Sequence, residues 1–339
     1  MAVNRQWLLA KRPSGMVTRD NFKYAETPIP EPGEGEVLIR NLFLSFDPTQ
    51  RNWMVDRESY LPPVAIGDPM RAGSVGQVLA SHHAEFKAGD MVQTTGGWQD
   101  FVVIAPGQGP MGLTKVPAGV TPEMMLSVLG ITGLTAYFGL LDIGNPKAGE
   151  TVLVSGAAGA TGSVAGQIAR IKGCRVVGIA GGKEKCAWLK NEAGFDAVID
   201  YKHEDVDARI AATCPDKLDI FFDNVGGNIL EAALNHINLK ARVVMCGGIS
   251  GYNATEPVPG PANLMNLVTM RARMEGFIIL DFIPRAPEAI RELMTWVASS
   301  ELKYQIDLQE GFDNIPDTLQ RLFTGQNLGK QLLKIADPV

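Results

Sequence analysis

The first chemical signal is the run Gly156-Ala157-Ala158-Gly159-Ala160-Thr161-Gly162. Against the spacing G-x-G-x-x-G, Gly159 and Gly162 take the second and third glycine positions and Ala157 the first. A central glycine lets backbone N–H groups approach a pyrophosphate, and a helix starting just after it aims its dipole and free N–H groups at that anion. Gly159, Ala160, Thr161 and Gly162 are therefore candidate cofactor contacts. An NAD-type site places Asp or Glu about 20 residues further on, to bond the ribose 2′-OH. Positions 177–181 read Val-Gly-Ile-Ala-Gly, with Lys183 and Lys185 following. An acid there would repel a 2′-phosphate. Its absence, with lysines next to it, favours NADP(H). The plain alternatives are a tight structural turn for the glycines and a solvated helix start for the lysines.

The elements that must position this turn follow from hydrophobic pattern. "TVLVS" (151–155) reads as a strand, with a helix from about 163 to 172 after the turn. Further strands are read at 175–180, 197–200, 218–224, 242–247 and 273–280, with helices at 183–193, 205–213, 227–235 and 286–300. Strands alternating with helices imply a doubly wound parallel sheet. Residues 1 to about 125 differ, with short β-type runs such as "EVLIRNLFLSFD", "GSVGQVLAS", "DMVQTTGGWQDFVVI" and "GLTKVP" broken by Gly and Pro. That pattern suggests a small all-β barrel. The segment 122–144 reads as helical, with Thr121 as its N-cap. The tail from 311 ends in strand-like residues that the parallel sheet does not accommodate, so it is expected to return to the first domain. The boundaries drawn are 1–125 with 300–339 for the β-rich domain and 126–299 for the nucleotide-binding one.

Bulk properties restrict the function classes. The chain has 339 residues, enough for two domains, and 45% apolar with 20% charged residues is an ordinary globular balance. A net charge of −6 argues against a nucleic-acid partner. No apolar run reaches a membrane span, and "MAVNRQWLLAKRPSG" lacks the features of a signal peptide. The cysteines are Cys174, Cys186, Cys214 and Cys246, with no CxxC pair. This fits a reducing cytoplasm and no disulfide framework.

These features together resemble the medium-chain dehydrogenase/reductase superfamily over essentially the whole chain. Its zinc alcohol dehydrogenases need Cys and His ligands. Here no cysteine precedes 174, Gly67-Asp68-Pro69 stands where those enzymes carry Gly-His-Glu, and the adjacent His82 and His83 have no thiolate partners. No metal site is expected. The sequence is more similar to the zinc-independent, NADP-dependent double-bond reductase branch: the leukotriene B4 dehydrogenase/prostaglandin reductases, alkenal reductases and bacterial NADPH-dependent curcumin reductases. The stretches that carry this are "LSFDPTQR" (44–51), "GDPMRAGSVGQV" (67–78), 139–182, "FDNVGG" (222–227), "CGGISGYNATEPVPGP" (246–261), "EGFII" (275–279) and "GQNLGK" (325–330). Thr49-Gln50 departs from the Tyr-Met that usually follows Asp-Pro, which bears on substrate preference.

The resemblance implies a Rossmann domain plus a GroES-like β-barrel catalytic domain, a homodimer joined around 273–285, and a small-molecule enal or enone substrate. It assigns Lys185 to the 2′-phosphate of NADPH, Tyr201 to the adenosine ribose phosphate, and Asn327 to a cofactor contact from the returning tail. Asn224 and the loop with Cys246, Gly247, Ser250 and Tyr252 fall around the ribose and nicotinamide, and Phe277, Ile278 and Ile279 in the strand bordering the nicotinamide. Reducing a C=C bond conjugated to a carbonyl requires a hydride at the β-carbon, a donor for the enolate oxygen and a proton at the α-carbon. Tyr252 is the candidate donor, because a phenol donates to a developing oxyanion and can relay a proton. In the alternative, Tyr252 only closes the pocket and a ribose hydroxyl donates. Met54, Tyr60 and Met70 are candidate pocket residues, with packing an equal reading. The rival functions are a quinone oxidoreductase of the sister zinc-free branch, a non-catalytic NADPH-binding member, and an alcohol dehydrogenase.

Overall fold

In the computed structural model, which describes residues 3–109 and 112–339, the chain divides into two compact units. One comprises Met1–Leu126 with Ile306–Val339, the other Ser127–Gln305. The first begins with strands β1 (Val3–Leu9), β2 (Phe22–Pro28) and β3 (Val37–Ser45), then the single-turn helix α1 (Thr49–Asn52). Strands β4 (Ser74–Ser81), β5 (Met91–Thr94), β6 (Phe101–Ile104) and β7 (Thr114–Lys115) follow, and then α2 (Pro122–Leu126).

The expected helix over 122–144 is broken. After α2 the chain turns through 127–130 before α3 (Ile131–Phe138), which continues into wider π turns over Gly139–Gly144. The turn is held where Thr132 Oγ1 donates to Ser127 O at 3.1 Å. The backbones approach so closely there that a Cβ on Gly133 would lie 1.8 Å from Val128 O.

The second unit is built on six parallel strands: β8 (Thr151–Val154), β9 (Arg175–Ala180), β10 (Ala197–Asp200), β11 (Leu218–Asp223), β12 (Ile237–Met245) and β13 (Arg273–Gly276). The connecting helices are α4 (Ala160–Ile171), α5 (Lys183–Asn191), α6 (Val206–Thr213), α7 (Gly227–Asn235), the short α8 (Met265–Thr269) and α9 (Ala286–Ala298). Strand order is β10-β9-β8-β11-β12-β13. The order reverses at β8, so the loops after β8 and β11 part at the switch point of a doubly wound sheet. All four residues of β8 are buried, as befits a strand covered on both faces. Leu153, Val177, Ile199, Phe221, Leu230 and Val243 belong to one core cluster of this sheet and its helices.

Three sequence expectations for this unit are corrected. Helix α4 begins at Ala160 rather than 163, because Gly159 already has the extended N-cap conformation. Strand β12 begins at 237 rather than 242. Strand β13 ends at Gly276, so Phe277, Ile278 and Ile279 lie beyond the ladder. Its pairing stops where Gly276 meets Met245, the last residue of β12, and tight turns over Ile279–Arg285 follow.

The chain then adds β14 (Ile306–Glu310), α10 (Ile315–Thr324) and β15 (Lys330–Lys334) to the first unit. Its main sheet runs β14-β15-β3-β4-β5-β7, with β6 also paired to β3, while β1 and β2 form a separate ribbon. The tail therefore joins the sheet through β15, antiparallel to β3. Buried Lys330 fixes this return: its Nζ pairs with Asp47 and donates to Phe46 O at 3.1 Å. Met54 and Met70 are fully buried beside Trp98, Phe46 and Phe312, which makes both of them packing residues. Among the described residues, no helix is long and apolar enough to cross a membrane.

Candidate functional site

The glycine-rich turn leaves β8 at Ser155 and enters α4 at Ala160. Gly156 has a φ of 57°, a conformation that suits glycine. Gly159 N donates to Gly156 O at 3.0 Å and Ser163 N to Gly159 O at 3.0 Å. A Cβ on Gly162 would lie 2.4 Å from Gly156 O. The turn thus folds back on the first turn of α4, whose leading N–H groups have no acceptor within the helix. Gly166, on α4, makes room for a ring. A Cβ there would lie 2.1 Å from Phe195 Cζ, and one on Gly178 of β9 would lie 2.8 Å from Phe195 Cδ1. Phe195 fills the space left by these two glycines, a role that nothing near it in sequence announces.

At the end of β9 the chain makes the turn Gly181-Gly182. Gly182 has a φ of 96° and caps α5. Lys183 is exposed and Lys185 half-buried on the first turn of that helix. Lysines at this end of a helix lie at the positive pole of its dipole. Tyr201 is 46% exposed, and its ring lies over Gly181, where a Cβ would meet Tyr201 Cε1 at 2.7 Å.

An acid does stand near this turn, on the next strand. Asp200 Oδ1 accepts from Gly182 N at 2.8 Å and Lys202 N at 3.1 Å, and Oδ2 pairs with His203 Nδ1 at 2.8 Å. Burial works against ionisation, but the Gly182 N–H, His203 and the Lys202 N–H together hold the Asp200 carboxyl below its ordinary range. Counting along β9 alone could not find it.

The loops after β11 and β12 are tied to each other and to the glycine turn. Asp223 is fully buried and accepts from Ser155 Oγ at 2.6 Å, Val225 N at 2.9 Å and Gly226 N at 3.0 Å. Asn224 Nδ2 donates to Ser155 O at 2.7 Å. Ser250 Oγ donates to Val225 O at 2.6 Å. Cys246 and Gly247 donate their N–H groups to Asp223 O at 2.9 and 3.1 Å. Sequence reasoning passed over Asp223 and Ser155. The signal available was an acid closing the apolar strand "LDIFFD".

Tyr252 ends the short turn Ile249–Gly251, and its hydroxyl accepts from Gly248 N at 3.2 Å. The thiol of Cys246 is pushed up to about 12 by burial and by the Asp223 carboxylate. Phe277 packs its ring on Gly139, where a Cβ would meet Phe277 Cζ at 2.4 Å, and makes an edge contact with Phe282 at 6.2 Å.

Gly159–Gly162, Lys185, Tyr201, Asn224, Cys246, Gly247, Ser250, Tyr252 and Phe277–Ile279 all belong to the Ser127–Gln305 unit, and Asn327 to the other. Asn327 Nδ2 donates to Gly329 O at 3.0 Å in the loop before β15. In that unit the departure at Thr49-Gln50 has a structural explanation. Gln50 is buried and donates to Arg71 O at 3.1 Å, whereas Thr49 Oγ1 meets the hydroxyl of Tyr60 at 2.5 Å. Trp53 Nε1 donates to the same hydroxyl at 3.2 Å, and the Arg71 guanidinium lies 5.3 Å over the Trp53 ring. Among the described residues, no group of three or more His, Cys, Asp or Glu side chains is placed to hold a metal ion.

The chain is similar to known proteins over nearly all of its length. A family described as "N-terminal domain of oxidoreductase" matches residues 5–113, and one described as "Zinc-binding dehydrogenase" matches residues 160–299. The NADPH-dependent curcumin reductase of Escherichia coli (strain K12) is 43% identical over 338 residues, covering 98% of this chain and 97% of that protein. A 2-alkenal reductase (NADP(+)-dependent) of Nicotiana tabacum is 39% identical over 311 residues, covering 91% of this chain and 89% of the relative. The crystal structure of CurA from Vibrio vulnificus in complex with NADPH superposes with a TM-score of 0.93 at 41% identity, covering 98% of this chain and 100% of that one. The chain belongs to the medium-chain dehydrogenase/reductase family, in its zinc-independent, NADP-dependent double-bond reductase branch.

Proposed function

We infer that the chain is an NADPH-dependent reductase of the C=C bond of α,β-unsaturated aldehydes and ketones. The observation that carries this reading is the Tyr252 phenol, oriented by the Gly248 N–H in a loop hydrogen-bonded to the rim of the glycine cradle. The cradle suits a pyrophosphate, because the close approach of Gly162 to the Gly156 and Ala157 backbone holds the glycine turn against the first turn of α4, whose leading N–H groups can serve an anion. We assign the pyrophosphate to Gly159–Gly162, the 2′-phosphate end to Lys185 and Tyr201, and the ribose and nicotinamide to Asn224, Cys246, Gly247, Ser250 and Tyr252. Phe277–Ile279 are assigned to the carboxamide through their backbone, and Asn327 to the cofactor by resemblance alone. Residues 126–299 are the proposed cofactor domain, and 1–125 with 300–339 the catalytic β-rich one.

Bound NADPH supplies the hydride that reaches the β-carbon. The Tyr252 hydroxyl donates to the carbonyl oxygen as negative charge gathers there and stabilises the enolate. A pre-oriented donor of this kind costs no reorganisation at the moment of reaction. A proton, relayed by Tyr252 or taken from water, completes the α-carbon. One enone, one NADPH and one proton thus give one saturated carbonyl compound and NADP+.

The test follows NADPH oxidation with an alkenal, a cyclic enone, a diarylheptanoid dienone and a quinone, with product identification. Saturated carbonyl products from the first three are expected. Faster turnover of the quinone with no C=C reduction would overturn the reading.

We also propose a cytoplasmic homodimer joined through 273–285. Strand β13 is an edge of its sheet, Met274 on it is exposed, and Met265 and Val268 of α8 are 67% and 64% exposed. A monomer mass in solution at micromolar concentration would refute the dimer.

A further inference from the structure

Asp223 is a buried titratable group that the chemistry above leaves without a task. Its side chain gathers three donors: the Ser155 hydroxyl at 2.6 Å and the N–H groups of Val225 and Gly226 at 2.9 and 3.0 Å. The direction of the first bond is fixed by a neighbour. Ser155 Oγ already accepts from Asn224 N at 2.8 Å, so its own proton points to Asp223. Each of these three partners of the carboxylate is a donor. Burial pushes this carboxyl up, while Ser155, Gly226 and Val225 oppose that shift. The Cys246 thiol is the other titratable group that faces it.

The same residue accepts the N–H groups of Cys246 and Gly247 on its carbonyl. One residue thus joins the loop after β8, through Ser155, to the loops after β11 and β12. These three loops carry the proposed pyrophosphate, ribose and Tyr252 positions.

We propose that Asp223, acting through Ser155, is the positioning residue of this site, setting the spacing of the glycine cradle, the Asn224–Gly227 turn and the Tyr252 loop. The proposal rests on the reading of these loops as the NADPH site. Its test is chosen to be independent of turnover.

Ser155→Ala removes one donor from Asp223 and leaves the Asn224 N–H without its acceptor, while Asp223→Asn replaces an acceptor oxygen by a donor. NADPH affinity, by calorimetric titration of the whole protein, is expected to weaken about tenfold in Ser155→Ala, the scale of one orphaned buried donor. Hydrogen exchange of the protein without cofactor is expected to accelerate in both 224–227 and 247–252, although neither segment is altered. KM for NADPH should rise, and kcat at saturating NADPH should fall with it, because the Tyr252 loop loosens together with the cradle. The double variant with Asp223→Asn should be little worse than the worse single variant, as for two members of one network.

Unchanged exchange at 247–252, or NADPH affinity within twofold of the native protein, would overturn the positioning role. If Asp223→Asn does not fold, Ser155→Ala alone decides. A chain that binds NADPH and shows the exchange effect but reduces no enone would sink the proposed function and leave this inference standing.

Discussion

Gly162→Ala separates a phosphate cradle from a tight turn of purely structural value. The added Cβ would lie 2.4 Å from Gly156 O and 3.0 Å from Ala157 Cα, where ordinary contact begins at 3.4 Å. Both neighbours are backbone atoms, so no rotamer change relieves the clash, and the turn must open by about 1 Å. Overfilling a packed site costs about 1–3 kcal/mol. Alanine near the start of α4 returns about 1 kcal/mol of helix propensity, which leaves a net loss of about 0–2 kcal/mol. For a protein of this size that is a fall in Tm of less than about 8 °C. The effect on the ligand should be larger, because displacing the first-turn N–H groups by about 1 Å can cost on the order of 100-fold where geometry matters. The expected result is NADPH affinity 10- to 100-fold weaker by calorimetry, with a small change in thermal unfolding.

Gly181→Ala is the companion measurement. Its Cβ would meet Tyr201 Cε1 at 2.7 Å, but that ring is 46% exposed and free to swing outward. Stability should hardly change, and NADPH binding should weaken more than NADH binding. A Gly162→Ala protein with a depressed Tm and NADPH affinity within twofold of native would show that the turn only shapes the chain and holds no phosphate.

Three further outcomes are expected. Lys185→Ala should weaken NADPH binding about 10- to 100-fold, the equivalent of about 1.5–3 kcal/mol for a hydrogen bond to a charged group, and leave NADH nearly unaffected; equal losses for both cofactors would mean that the phosphate lies elsewhere. Tyr252→Phe should lower kcat by roughly 100- to 1,000-fold with little change in NADPH affinity, the pattern of a bond made only in the transition state, and near-native turnover on both enals and poorly polarised enones would remove Tyr252 from the chemistry. Cys246, half-buried and with its thiol pushed up to about 12, should react with N-ethylmaleimide at pH 8 roughly a thousandfold more slowly than free cysteine, because a raised pKa removes the thiolate at that pH; rapid modification at Cys246 by peptide mass analysis would contradict that upward shift.

What could be read in the sequence and what could not divides along a physical line. The glycine turn was legible because its constraints are local. Gly159 and Gly162 report where backbone must approach backbone, and a strand before and a helix after supply the context. The alternation of β8 to β12 was legible from hydrophobic period, although α4 began earlier than its first apolar residues suggested. Strand β13 ended early because its ladder depends on where β12 stops, which no pattern within "RMEGFIIL" records. Ser155 and Asp223 lie 68 positions apart and meet only because β8 and β11 are neighbours in the sheet. Phe195 likewise serves Gly166 and Gly178 from a loop distant in sequence from both.

The acid missing after β9 shows this division at its sharpest. By sequence, 177–181 contain no carboxylate, and the absence favours a phosphate on the ribose. In space, Asp200 sits against the same turn and is held ionised. The Gly181–Gly182 turn is therefore not free of negative charge. Asp200 directs its oxygens at the Gly182 and Lys202 N–H groups and at His203, so its acceptors are committed to the protein. A carboxylate so engaged cannot offer the paired hydrogen bonds that a ribose diol needs, yet it still opposes an approaching phosphate. On this reading the preference for NADPH cannot rest on the missing acid alone. It needs a cation to outweigh Asp200, and Lys185, half-buried on the first turn of α5, is the residue we assign to that task.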